Sequence, residues 1–168
     1  MSKEQLLQLE QEGKYVFHGS PIGTIEELEP RQSNHIPDLK EPTKTILDGR
    51  PAVSATPYIE LAIFRAIINN KNVHIEGDWN SGFGVTDGVI DFRVSDKEVL
   101  EQTKDKIGFV YLFDKSNFKP YTRGKGEDEG RPQSMEWRSY EKVRPVKVLK
   151  VTDKDLPDWD RIKVGNDE

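Results

Sequence analysis

Cysteine is absent from the 168-residue chain. That excludes a disulfide scaffold, a zinc–thiolate site, an iron–sulfur cluster and a cysteine nucleophile. Long apolar runs are absent too. Nothing approaches the roughly 18 apolar residues of a membrane span, and the opening MSKEQLLQLEQEGK lacks the apolar centre of a signal peptide. The expectation is a soluble, cytoplasmic protein. Basic charge is not in surplus: 30 acidic residues against 25 basic ones give a formal charge of −5. That argues against a general grip on nucleic-acid backbones but still allows a local basic groove. Familiar ligand motifs are also missing. Gly82-Phe83-Gly84 followed by Gly88 has the wrong spacing for a dinucleotide fingerprint. Gly124-Lys125-Gly126 lacks the P-loop spacing, and no GxSxG elbow occurs. His18, His35 and His74 show no close metal-ligand spacing, so no metal is expected.

What is present suffices for one domain with a real core, read as residues 1–156, followed by a polar tail, 157–168, that frays unless Trp159 docks it. Residues 3–12 read as a short helix capped by Ser2 and stopped by Gly13, and 14–18 as a buried strand. Thr24 and Glu27 form a capping-box pattern that predicts one helical turn. Residues 29–50, with Pro30, Pro37, Pro42 and Gly49, read as a long loop. A short strand over 51–55 leads through Thr56 and Pro57 into a helix over 58–69, with Ile59, Ala62, Ile63, Ala66 and Ile67 on one face. Strands are expected at 73–76, 87–94, 107–113, 135–140 and 143–151, with 118–121 continuing the third of these after a turn. A polar helix is expected over 96–103, and loops over 77–84 and 122–133, the latter flexible. Strands outnumber helices, which predicts an α+β domain on mixed or antiparallel sheets.

Three local features carry chemistry. Phe17-His18-Gly19-Ser20 ends a buried strand with an imidazole beside a backbone free of Cβ, where ligand atoms can approach main-chain groups. Ala52-Val53-Ser54-Ala55 leads into the helix that carries Phe64, nine residues after Ala55, whose ring offers a flat face to a planar ligand. Ser134-Met135-Glu136-Trp137-Arg138-Ser139-Tyr140 opens a strand with a glutamate after a charged loop. Each also reads as ordinary structure: a turn with a satisfied histidine, a core phenylalanine, a solvated strand edge.

Taken together, their order and spacing resemble the ADP-ribosyltransferase-like family of the diphtheria-toxin and poly(ADP-ribose) polymerase type. His18-Gly19-Ser20 is similar to its His-Gly-Ser/Thr strand. Ala55, Ala62 and Phe64 are similar to its middle motif, and Glu136 stands where its catalytic glutamate opens a strand. The resemblance spans residues 14–152. It implies a fold of two packed mixed or antiparallel sheets that form a cleft, with a few short helices. It also implies NAD as co-substrate, without metal. By the same resemblance Glu136 is the catalytic carboxylate beside the nicotinamide ribose, with His18 on the adenosine ribose. The Gly19 main chain and Ser54 meet the carboxamide, Phe64 stacks on the nicotinamide, and Arg31 or Arg50 faces the pyrophosphate. One departure is plain: the family's triad tyrosine has no counterpart, because Val53 stands there. It bears against polymer elongation. The implied activity is mono-ADP-ribosylation of a macromolecular acceptor, protein or nucleic acid. The alternatives are an NAD-dependent RNA 2′-phosphotransferase of similar fold, and a degenerate domain that binds ADP-ribose or a partner without turnover.

Overall fold

A computed structural model describes residues 1–35, 46–47, 49–86, 89–121 and 135–165. The expected flexible loop at 122–133, residue Ser134 and most of the segment 36–48 lie outside the described residues. Local signals set the first elements. Helix α1 (Lys3–Gln11) opens on a capping box in which the Ser2 side chain accepts from the Gln5 N–H and the Gln5 side chain answers. Gly13, at φ +67°, ends it in a conformation that favours glycine. Strand β1 (Tyr15–Ser20) follows. The helical turn expected after Thr24 does not form. Instead Leu28 bridges Val143, and Tyr111 pins the segment, its hydroxyl donating to the Ile22 carbonyl and accepting from the Ile25 N–H. A buried hydroxyl thus takes the backbone groups that a helix would have used. Strands β2 (Asn34–His35) and β3 (Ile46–Leu47) pair briefly within the expected loop.

Strand β4 (Val53–Ala55) leads into helix α2 (Ile59–Ile67), which is shorter than expected. Tyr58, not Thr56, occupies the cap position and gives no side-chain cap bond; the Glu10 carboxylate of α1 accepts from the Ile59 N–H at 2.8 Å instead. An acid at a helix N-terminus also meets the favourable end of the dipole. Asn69 closes the other end by donating to the carbonyls of Arg65 and Ala66. Beyond it, residues 73–76 form no strand. The Gln102 side-chain amide brackets His74, donating to its carbonyl and accepting from its N–H, in place of a neighbouring strand. The expected loop at 77–84 instead yields strand β5 (Ser81–Thr86), which pairs with β6 (Val89–Val94). Helix α3 (Lys97–Gln102) starts on the Asp96 cap. Strands β7 (Ile107–Asp114), β8 (Lys119–Tyr121), β9 (Glu136–Ser139), β10 (Lys147–Thr152) and β11 (Ile162–Val164) complete the chain.

These elements form an α+β arrangement of small sheets ordered β1-β7-β10, β11-β6-β5 and β4-β9-β8, with β2-β3 as a separate pair. All pairings are antiparallel except β11 with β6. Strand β8 does not continue β7 but pairs with β9 in another sheet. One face of β1 and β7, through Phe17, Val110 and Leu112, packs on α2 within the main core. The opposite face, through Val16, Tyr111 and Phe113, joins Val53 and Ala55 in a second core. Within the tail expected to fray, Ile162–Val164 form a strand, with Ile162 buried in the main core, while Trp159 stays largely exposed. Among the described residues no helix is long and apolar enough to cross a membrane.

Candidate functional site

The sheets of β1 and β4 meet where Phe17 and Thr56 exchange main-chain hydrogen bonds at 2.7 and 2.9 Å. Phe17 therefore turns its N–H and C=O away from β7. By the two-residue alternation of a strand, Gly19 turns its own main-chain groups the same way, past the end of β4. There a cleft of about 980 Å³ opens, within the size range of small-molecule sites. His18, Gly19, Ser54 and Glu136 all line it.

His18 is half-buried, and its Nδ1 lies 3.0 Å from the Ser54 carbonyl oxygen. A carbonyl only accepts, so Nδ1 carries the proton and Nε2 is left as an acceptor. Burial lowers the His18 pKa below 6.5; the Ser54 carbonyl opposes that shift and the Arg31 charge adds to it. The folded protein thus resists protonation that the unfolded chain accepts. The resulting stability is complete above about pH 6.5 and is lost as the pH falls through the lower folded value. Thermal melts across pH 5–8 are expected to show this decline below about pH 6.5, with a shallower decline in His18→Gln. An equal slope in both proteins would remove His18 as its source.

Glu136 opens β9 opposite Tyr121 of β8. Its carboxylate accepts a 2.5 Å hydrogen bond from the Arg138 guanidinium two residues on. Arg138 is 2 % exposed, lies opposite Ser54 across the sheet, and rests 3.6 Å from the Tyr121 ring centroid. A buried cation that fixes a half-buried carboxylate is a positioning device for the acid. Gly49, at φ +71°, covers it: a Cβ there would press on the Arg138 guanidinium at 2.9 Å.

Phe64 is not part of this cleft. It is fully buried in the main core, with its ring centroid 5.1 Å from that of Phe92. Its stacking role is withdrawn because the helix turns that position inward and presents Leu61, Ala62 and Arg65 to the cleft instead. Phe64→Leu is therefore expected to bind ligand as the parent does and to cost about 1–2 kcal/mol through the lost volume and the lost Phe92 contact, while Phe64→Tyr loses about 1–3 kcal/mol by burying an unpaired hydroxyl. Paired denaturation and binding titrations check both. Arg31 does not line the cleft either. It is exposed, held by a bridge to Ala52, and reaches the site only through its charge at His18. Arg50 lies 3.6 Å over the Tyr140 ring, also outside the cleft.

Sequence reasoning missed Arg65, Trp79, Phe83 and Tyr121, all of which line the cleft. Only Arg65 left a signal, as the one cation in an otherwise apolar stretch of α2. Among the described residues, no cluster of His, Asp and Glu is arranged to hold a metal ion. No family model, no curated protein and no solved structure matches the chain.

Proposed function

We propose that the chain has an ADP-ribosyltransferase-like fold, and that its cleft binds NAD and transfers ADP-ribose to a macromolecular acceptor. One observation carries the reading: His18, Gly19, Ser54 and Glu136, drawn from three distant segments, line a single cleft. Gly19 offers an N–H and a C=O to the carboxamide, which has one donor group and one acceptor. The Nε2 of His18 accepts from a ribose hydroxyl. The ring stacking that Phe64 does not provide passes to the aromatic side chains that line the cleft. When the C–N bond to nicotinamide breaks, the bonding pair leaves with the ring nitrogen, and positive charge develops on the ribose. Glu136 stabilises that charge and orients the sugar. An acceptor lone pair then forms the new bond at the same carbon, and its proton passes to solvent.

A second reading has its own support. Arg138 partly neutralises Glu136, which favours a domain that holds the ligand without turnover. Incubation with labelled NAD and a cell lysate separates the two. Transfer predicts nicotinamide release with label on protein or nucleic acid. Binding alone predicts saturable NAD binding with no nicotinamide released. Absence of both would overturn the NAD reading.

A further inference from the structure

Strand β10 ends its sheet, with β7 on one side and, among the described residues, no strand on the other. Two contacts set its hydrogen-bond phase. The Asp153 N–H donates to the Lys106 carbonyl. Phe17 spends its main-chain groups on Thr56, so its partner Leu112 turns its own toward β10. By alternation Lys147, Leu149 and Val151 bond to β7, and Val148, Lys150 and Thr152 turn outward. The Asp155 carboxylate takes the Thr152 N–H at 2.8 Å. Among the described residues nothing takes the N–H or C=O of Val148 or Lys150.

The side chains along this edge supply a second, independent observation. Leu149 and Val151 enter the main core. Val148 and Lys150 therefore stand on the opposite face, where both are exposed, and Val146 just before them is exposed too. Lys147 and Lys150 make no ion pair among the described residues, and the strand, KVLKVT, carries no acid. Lysine commonly blunts an edge strand against pairing. Here it discourages a second copy of the same strand, since self-pairing sets lysines together in one ribbon. It favours an acidic strand instead, and the exposed valines offer that strand apolar contact.

We propose that the free edge of β10 docks an extended acidic segment of another protein, which adds as a further strand to the β1-β7-β10 sheet. The main-chain groups of Val148 and Lys150 form the ladder. An apolar residue of the partner lies beside Val148, and its carboxylates pair with Lys147 and Lys150. The other side of this sheet is β1, which carries His18 and Gly19, so a partner on β10 leaves the cleft open. Docking there requires neither NAD nor turnover.

Fluorescence anisotropy of the full chain with a labelled peptide of valine, threonine and glutamate, about eight residues long, tests it. That peptide is expected to bind, and its counterpart with lysine for glutamate is not. N-methylation of one alternate set of peptide nitrogens is expected to abolish binding, and of the other set to spare it. Reversing both charges, Lys147→Glu with Lys150→Glu, is expected to weaken binding about tenfold and to admit the lysine peptide. Val148→Pro removes an outward N–H that the ladder with β7 does not use, so binding is expected to be lost with little change in melting temperature. Should that variant not fold, charge reversal and the methylated peptides still decide. The proposal falls if the glutamate peptide does not bind, binds no better than the lysine peptide, or is indifferent to which nitrogens are methylated. A dimer in sedimentation that Val148→Pro dissociates would assign the edge to a second copy and overturn the proposal as well.

Discussion

Gly19→Ala is expected to destabilise the domain by about 3 kcal/mol or more, lowering the melting temperature by about 10 °C. A Cβ at Gly19 would fall inside the contact distance of the Ala62 carbonyl oxygen and crowd the Ala66 nitrogen. These are backbone atoms of α2, so no side chain can swing aside. Helix α2 would have to lift from β1, opening the core that holds Phe17, Ala62 and Ala66. Gly108 on the neighbouring strand meets the Ala66 carbonyl in the same way, and Gly108→Ala is expected to behave alike. Gly82→Ala, where a Cβ finds only ordinary contact, is the control and should change the melting temperature little. Thermal and denaturant melts decide the matter; a Gly19→Ala protein as stable as the parent would show that α2 is not seated this closely. The glycine serves two purposes at one position, since its side-chain direction faces the helix and its main-chain groups face the cleft.

Glu136→Gln is expected to lower NAD turnover about 10²–10³-fold while leaving ligand binding nearly intact. Glutamine keeps the shape and keeps an acceptor for Arg138, so it spares the fold the full penalty of stranding a buried cation, about 3–5 kcal/mol. It removes the negative charge that meets the developing cation. Glu136→Ala is expected to lose stability as well, because Arg138 is 2 % exposed and pairs with that carboxylate. Nicotinamide release and melting temperature, measured together on both variants, separate the chemical loss from the structural one. Unchanged turnover in Glu136→Gln would remove Glu136 from the reaction.

Local chemistry made part of this protein legible in its sequence. Ser2 and Gln5 close their box within one turn, Asp96 caps α3, and the apolar run of β7 needs no distant partner to be read as a strand. Motif order in the sequence grouped Phe64 and Arg31 with His18, Gly19, Ser54 and Glu136. Only the tertiary structure decided that the last four surround one cleft and that Phe64 and Arg31 do not line it. Other features depend on contacts that a linear pattern does not carry. Helix α2 buries Ile59, Leu61, Ala62, Ile63, Phe64, Ala66 and Ile67, so its apolar residues surround most of its girth. Periodicity marks such a helix as buried without saying which side meets the ligand. Packing against β1 and Phe92 decided that Phe64 points inward and Arg65 lines the cleft. Strand β5, rich in glycine, has weak propensity and becomes a strand by pairing with β6. Strand β11 exists because Ile162 finds a place in the core beside β6. The reason for glycine at 19 lies on a helix more than forty residues away, at the Ala62 carbonyl. The sequence by itself determined the capped helices α1 and α3 and the most apolar strand, β7; long-range packing, which no local signal encodes, decided the facing of α2 and the walls of the cleft.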